Sequence, residues 1–179
     1  MLDGKKLAQM FRTDYRIIIR RLESGYLISN TYVLVRVSEK TGLNFVDKWN
    51  GYKTTVDIPP LDGGETYEIS SHKQRIISND PLKRLIRHID QDELMEVTIT
   101  DLCKSTKDEV QRIYGFDHGL GVYQNKYHFL IDEYKPASIK TEGMLKPLIL
   151  FNEAEDVMAM IMPVNINYEI ENELTRIAG

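Results

Sequence analysis

Apolar residues at the start of the chain fall at Leu7, Met10 and Phe11, spaced by three and four, with Asp3 ahead of them as a capping residue. This predicts a short helix over Asp3–Arg12 whose other face carries Lys5, Lys6 and Arg12. The pattern then changes to β-branched and aromatic runs. Tyr15–Leu22 reads as one strand, and Tyr26–Val37 as a hairpin turning at Ser29-Asn30, where strand propensity lapses. In the middle, Leu43–Trp49 gives one or two helical turns. Lys53–Ile58 gives a strand closed by Pro59-Pro60, and Asp62-Gly63-Gly64 a turn before the strand Thr66–Ser70. After Asn79-Asp80-Pro81, the spacing of Leu82, Leu85, Ile86 and Ile89 predicts a second basic amphipathic helix, with Lys83, Arg84 and Arg87 on its polar side.

The second half begins with alternation over Glu96–Leu102, the period of a half-exposed strand. Asp108–Tyr114 fits strand or helix equally, and Gly115, Gly119 and Gly121 mark a flexible loop. A strand Leu120–Tyr123 leads to Asn125, the expected cap of a helix in which Tyr127, Leu130, Ile131 and Tyr134 share a face and which Pro136 ends. Pro147–Phe151 and Val157–Pro163 read as strands joined by the polar turn Asn152–Asp156, the second buried on both sides because its apolar run is continuous. The expectation is an α+β fold: an antiparallel sheet with two or three amphipathic helices, one domain over 1–167, and an acidic tail or helix over 168–179.

Composition adds limits. With 42% hydrophobic and 28% charged residues the chain is of ordinary globular make-up. A net charge of −4 argues against a generally basic nucleic-acid coat but not against a local basic face. Bases do cluster: Lys5, Lys6, Arg12, Arg16, Arg20 and Arg21 face one acid, Asp14, in their stretch, whereas Glu153, Glu155, Asp156, Glu169, Glu171 and Glu173 lie in a stretch without a base. The single cysteine, Cys103, excludes an internal disulfide and a cysteine-rich zinc site, and reads as a buried thiol. No stretch approaches the roughly 20 apolar residues of a membrane span, and the N-terminal residues lack a signal peptide's apolar core, so a cytoplasmic protein without a membrane partner is expected.

The two ends share an order. The first runs helix (KKLAQMF), short strand, then YLIS and TYVLVRV; the last runs helix (NKYHFLIDEY), the segment SIKTEGM, then PLILF and VMAMIMPV. Either this is the coincidence any α+β chain offers, or it marks a pseudo-twofold domain with two helices on a curved antiparallel sheet. On the stretches 121–166 and 24–37, NKYHFLIDEY with PLILF and VMAMIMPVNI, and SGYLISNTYVLVRV, the chain resembles the sliding-clamp domains of DNA polymerases, including clamp-like proteins of phages and mobile elements. The resemblance implies a clamp-like fold and a DNA-associated role. A bacterial clamp subunit has three such domains and this chain has room for one, so a ring would need a homo-oligomer.

A clamp requires cations that neutralise phosphates without reading bases. The candidates are Lys5, Lys6, Arg12, Lys83, Arg84 and Arg87 on helices and Arg16 and Arg20, with Arg21, on a strand, against the alternative that they are solvated polar faces. Trp49-Asn50-Gly51-Tyr52 reads as an exposed loop whose Trp49 and Tyr52 would anchor a partner. Tyr26, Tyr32, Tyr67 and Tyr114 are too dispersed for a stacking platform and read as core and strand pairs. Catalytic and metal signals are weak. His72, His88, His118 and His128 lack metal spacing, Asp117-His118 is the best single pair, Glu133-Tyr134-Lys135 falls on a helix rather than a nuclease strand, and Gly63-Gly64 and Gly119/Gly121 lack the P-loop lysine. The expected function is that of a non-enzymatic phage or mobile-element protein, without cofactor or metal, acting on DNA or a protein–nucleic acid complex. The alternative is an inhibitor of a host nucleic-acid enzyme, such as an anti-CRISPR protein binding an RNA-guided nuclease. A metal-dependent nuclease is third.

Overall fold

The computed structural model describes residues 2–14, 16–52, 58–70, 73–77, 82, 89, 91–107, 109–117 and 119–164. Among them are three α-helices and eleven strands, paired antiparallel in every defined register, which makes the fold α+β. No described helix is long and apolar enough to cross a membrane. The chain divides into two compact units. The first runs to Ile89 and adds Val157–Ala159; the second runs from Asp90 to Asp156 and resumes at Met160.

The first unit contains α1 (Gly4–Met10), β1 (Arg16–Leu22), β2 (Gly25–Ser29), β3 (Val33–Val37), α2 (Glu39–Tyr52), β4 (Thr66–Ser70) and β5 (Lys73–Ile76). Its strand order is β5-β4-β1-β2-β3. The Asp3 carboxylate caps α1 by accepting from the Lys5 N–H at 2.8 Å. The β1–β2 hairpin closes with Leu22 opposite Gly25. Gly25 has φ +142° and its Cα abuts the Val37 carbonyl, so no other residue fits there without strain. At the β2–β3 turn the Asn30 Oδ1 accepts from the Tyr32 and Val33 N–H groups, both at 2.7 Å.

α2 departs from expectation. It has 14 residues where one or two turns over Leu43–Trp49 were predicted. Ser38 caps its start, its Oγ accepting from the Thr41 N–H at 3.3 Å. Its inner face brings Phe45 edge-on to Phe11 of the α1 end, with ring centroids 5.9 Å apart, and stacks it on Trp49 at 6.1 Å. The predicted exposed loop at 49–52 is therefore the last turn of a helix, and Trp49, 1% exposed, is a core residue rather than a surface anchor.

The second unit contains β6 (Met95–Ser105), β7 (Val110–Phe116), β8 (Gly119–Gln124), a 3-10 turn (Asn125–Tyr127), α3 (His128–Tyr134), β9 (Ser138–Thr141) and β10 (Leu148–Phe151). The chain then turns through Asn152–Asp156 into β11 (Val157–Ile161). The order within the unit is β10-β9-β6-β7-β8. Asp108–Tyr114, open between strand and helix, falls largely on strand β7. The glycines expected in a flexible loop are part of the β7–β8 hairpin: Tyr114 stands directly opposite Gly121, and its ring lies over the glycine Cα. Asn125 is not a helix cap either, because its Oδ1 accepts from Arg112 Nε at 3.0 Å. Between Ile99 and Cys103 the register of β6 against β7 shifts, a bulge in which the Thr100 hydroxyl donates to the Ile113 carbonyl at 2.7 Å.

The order helix then three strands occurs twice along the chain, as α1-β1-β2-β3 and α3-β9-β10-β11. The expected strand Lys53–Ile58, apart from Ile58, the helix Leu82–Ile89, apart from its two ends, and the acidic segment 168–179 lie outside the described residues.

Candidate nucleic-acid interface

α1 buries Gly4, Leu7 and Ala8 and turns Lys5 and Lys6 to solvent; Arg12, just past its end, is also exposed. Lys5 and Gln9 stand at i and i+4 on one stripe of α1, and Arg12 follows in the turn past its end. The Arg12 guanidinium lies 5.4 Å from the centroid of the Tyr52 ring, and the Lys48 ammonium lies 5.0 Å from the same centroid. A half-buried tyrosine at the end of α2 thus holds two cations through its negative ring face. The structure brings together two residues predicted for different roles, Arg12 and Tyr52. It adds Lys48, which lies within the predicted helical segment Leu43–Trp49 but meets Arg12 only through Tyr52, beyond that segment's end.

Arg16 and Arg20 do not join this group. Arg21 is opposite Tyr26, against whose ring Gly42 of α2 packs, and Arg21 itself lies 4.7 Å from that ring centroid and pairs with Glu39 of α2 at 2.6 Å. Arg21 therefore shares the helix-covered face with Ile17 and Ile19. By alternation Arg16, Ile18 and Arg20 occupy the other face. There the Glu68 carboxylate takes Arg16 at 2.7 Å and Arg75 at 3.1 Å, and Arg20 donates to the Thr66 hydroxyl at 3.4 Å. One strand's basic residues thus divide between two surfaces, and Arg16 is spent on an internal carboxylate.

Burial of Glu68 raises its pKa, but the hydrogen bonds and charges of Arg16 and Arg75 outweigh that and hold the carboxyl below its ordinary value. A group with a depressed folded pKa stabilises the fold above its unfolded value and loses that contribution as pH falls through the folded one. Urea denaturation should accordingly show Glu68→Gln less stable than the parent at neutral pH, with the gap closing as pH drops below about 4. A gap independent of pH would remove the ion triad from the account.

The second unit holds a polar cluster that no sequence motif marks. Register places Cys103, Arg112 and Tyr123 opposite one another across β6, β7 and β8. The Tyr123 hydroxyl is 2.8 Å from His128 Nδ1, and His128 Nε2 is 3.7 Å from the exposed carboxylate of Asp132. Arg112 also donates to the Thr100 carbonyl at 3.0 Å. Burial, and then the Arg112 charge, push the His128 pKa down against the opposing pull of Asp132 and Asp101, while burial raises Tyr123. Tyr114, whose hydroxyl donates to the Met144 carbonyl at 3.4 Å, is pushed by burial to about 12. Cys103, expected to be buried, is exposed, at the point where the β6–β7 pairing resumes after the bulge.

Lys83, Arg84, Arg87, His72, His88 and His118 lie outside the described residues. Tyr26, Tyr67 and Tyr114 are core residues, whereas Tyr32 is exposed. No family model, curated protein or solved structure matches the chain.

Proposed function

We propose that the chain is a non-enzymatic, clamp-like protein that associates with DNA through phosphate contacts made by its α1–α2 layer. The observation that carries this reading is the meeting of Arg12 and Lys48 over the Tyr52 ring, with Lys5 exposed on the neighbouring helix α1. Such cations bind a backbone without reading its sequence. The twofold helix-strand-strand-strand order is consistent with the clamp-like part of the proposal.

Duplex binding measured by fluorescence anisotropy across salt tests it. Each phosphate contact contributes about 0.9 to the slope of log affinity against log salt, so the triple variant K5E/R12E/K48E should flatten the slope by about 2 to 3. Arg75→Gln, on the opposite sheet face, should leave it unchanged. Equal slopes for parent and triple variant would end the proposal. Light scattering with and without duplex tests the clamp-like assembly, which requires a closed oligomer.

A second reading has one observation behind it. The Asn152–Asp156 turn presents Glu153, Glu155 and Asp156 together to solvent, three carboxylates in the manner of phosphates. An inhibitor that imitates nucleic acid to an RNA-guided nuclease would use such a tip. Its mark is a monomer or dimer that ignores duplex DNA, binds the nuclease saturably, and loses that binding when the three acids become amides.

A further inference from the structure

We propose that the second unit holds a phosphate group at Arg112 and His128, in a site bounded by Cys103 and Tyr123. The proposal is independent of the α1–α2 interface. It begins with an imbalance of charge. The Arg112 side chain is only 15% exposed, yet its close partners are neutral: the Asn125 amide oxygen at 3.0 Å and the Thr100 carbonyl at 3.0 Å. Among the described residues its one carboxylate partner, Asp101, stands 3.6 Å away and is fully exposed, so solvent screens that pair. A largely buried guanidinium without a buried anion is a costly arrangement, which an oxyanion would relieve. Nε and the first terminal nitrogen are engaged, while the second terminal nitrogen has no partner among the described residues and leaves two N–H donors for a ligand.

His128 supplies the other side. Tyr123 Oη and His128 Nδ1 are 2.8 Å apart; in the tautomer to which the phenol donates, the imidazole carries its proton on Nε2, 3.7 Å from the exposed Asp132 carboxylate. The ring is fixed from behind, by its 6.4 Å centroid contact with Tyr123 as well as by the hydrogen bond. Arg112 stands directly opposite Tyr123 across β7 and β8, and Tyr123 in turn holds His128. A guanidinium fork and an imidazole N–H beside it suit the oxygens of a phosphate dianion. Asp101 and Asp132 stand at the edge as the groups a ligand would displace. The facing titratable groups are thus Arg112, Tyr123, Cys103, Asp101 and Asp132.

The experiment is an NMR titration of the His128 ring protons in the full-length parent protein, in millimolar inorganic phosphate and in chloride of equal ionic strength. Bound phosphate should raise the pH at which His128 protonates, and Arg112→Gln should abolish the difference. Asp101→Asn removes a competing carboxylate without touching the fold, and should tighten phosphate about two- to fivefold, the equivalent of one exposed ion pair. Titration curves that superimpose in chloride, in inorganic phosphate and in a 5′-phosphorylated dinucleotide, or an affinity unmoved by Asp101→Asn, would overturn the proposal. A 5′-phosphorylated dinucleotide separates the sources of the group. A response to it alone assigns the site to a nucleic-acid end, and a response to inorganic phosphate as well assigns it to the free anion; both sustain the site.

Discussion

Replacing Trp49 with alanine should lower the unfolding free energy by about 3–5 kcal/mol, the usual range for truncating a buried aromatic residue. Trp49 is among the largest fully buried side chains, and its ring is parallel to that of Phe45, which meets Phe11 edge-on. The loss would reach beyond the cavity. Gly42, Asn44, Asp47, Asn50 and Gly51 give α2 little intrinsic helical preference, so packing of its inner face holds most of it together. Chemical denaturation followed by far-ultraviolet circular dichroism should therefore show the variant losing helical signal before the transition as well as unfolding earlier. A change under about 1 kcal/mol, the level of an ordinary surface substitution, would mean that Trp49 is not in the core.

Gly121→Val should destabilise by about 1–3 kcal/mol, although valine is the better strand former of the two. The two tendencies have opposite signs, which makes the test sharp. If only strand propensity mattered, the variant would be more stable. A Cβ at 121 runs into the Tyr114 ring, which crosses the glycine and is anchored beyond it by its hydroxyl on the Met144 carbonyl. Shortening the ring residue as well, in Gly121→Val with Tyr114→Leu, should recover part of the loss, so a double-mutant cycle by thermal denaturation should show strong coupling between the two positions. Additive changes would mean that the ring does not pack where the register puts it.

These two sites also show where sequence reasoning succeeds and where it stops. β-branched runs bounded by turn residues located β1, the β2–β3 hairpin, β4, β10 and β11, because period and local turn chemistry are written in adjacent residues. Thr66–Ser70 is the clearest instance, with identical predicted and observed limits. α2 escaped because its helix-forming information is tertiary: Phe45 and Trp49 matter through Phe11, far away in sequence. Gly121 was misread for the same reason, since a glycine that admits a ring looks locally like a glycine that loosens a loop. In the candidate interface, helical spacing was enough to expose Lys5 and Lys6, whereas Lys48 joins Arg12 only through Tyr52, which lies beyond the predicted end of its helix. A period of two puts Arg16 and Arg20 on one face of β1 but not on a particular side of the sheet; that is decided by where α2 lands on Tyr26. The row Cys103–Arg112–Tyr123 depends on a register that the bulge in β6 resets, and nothing local in Thr100-Asp101-Leu102 announces it.

That bulge has a consequence for how molecules behave in company. β9 lies beside β6 only at Met95 and Glu96, so among the described residues the outer rim of β6 has no strand next to it from Val97 to Ser105. A straight rim of that length, with Leu102 half-exposed, is the kind of template on which other chains add strand by strand. The register shift breaks its regular spacing of donors and acceptors, and Asp101 and Lys104 set charges along it. The bulge, fastened by Arg112 at the Thr100 carbonyl, should therefore also hinder neighbouring copies from adding to this rim in a crowded solution.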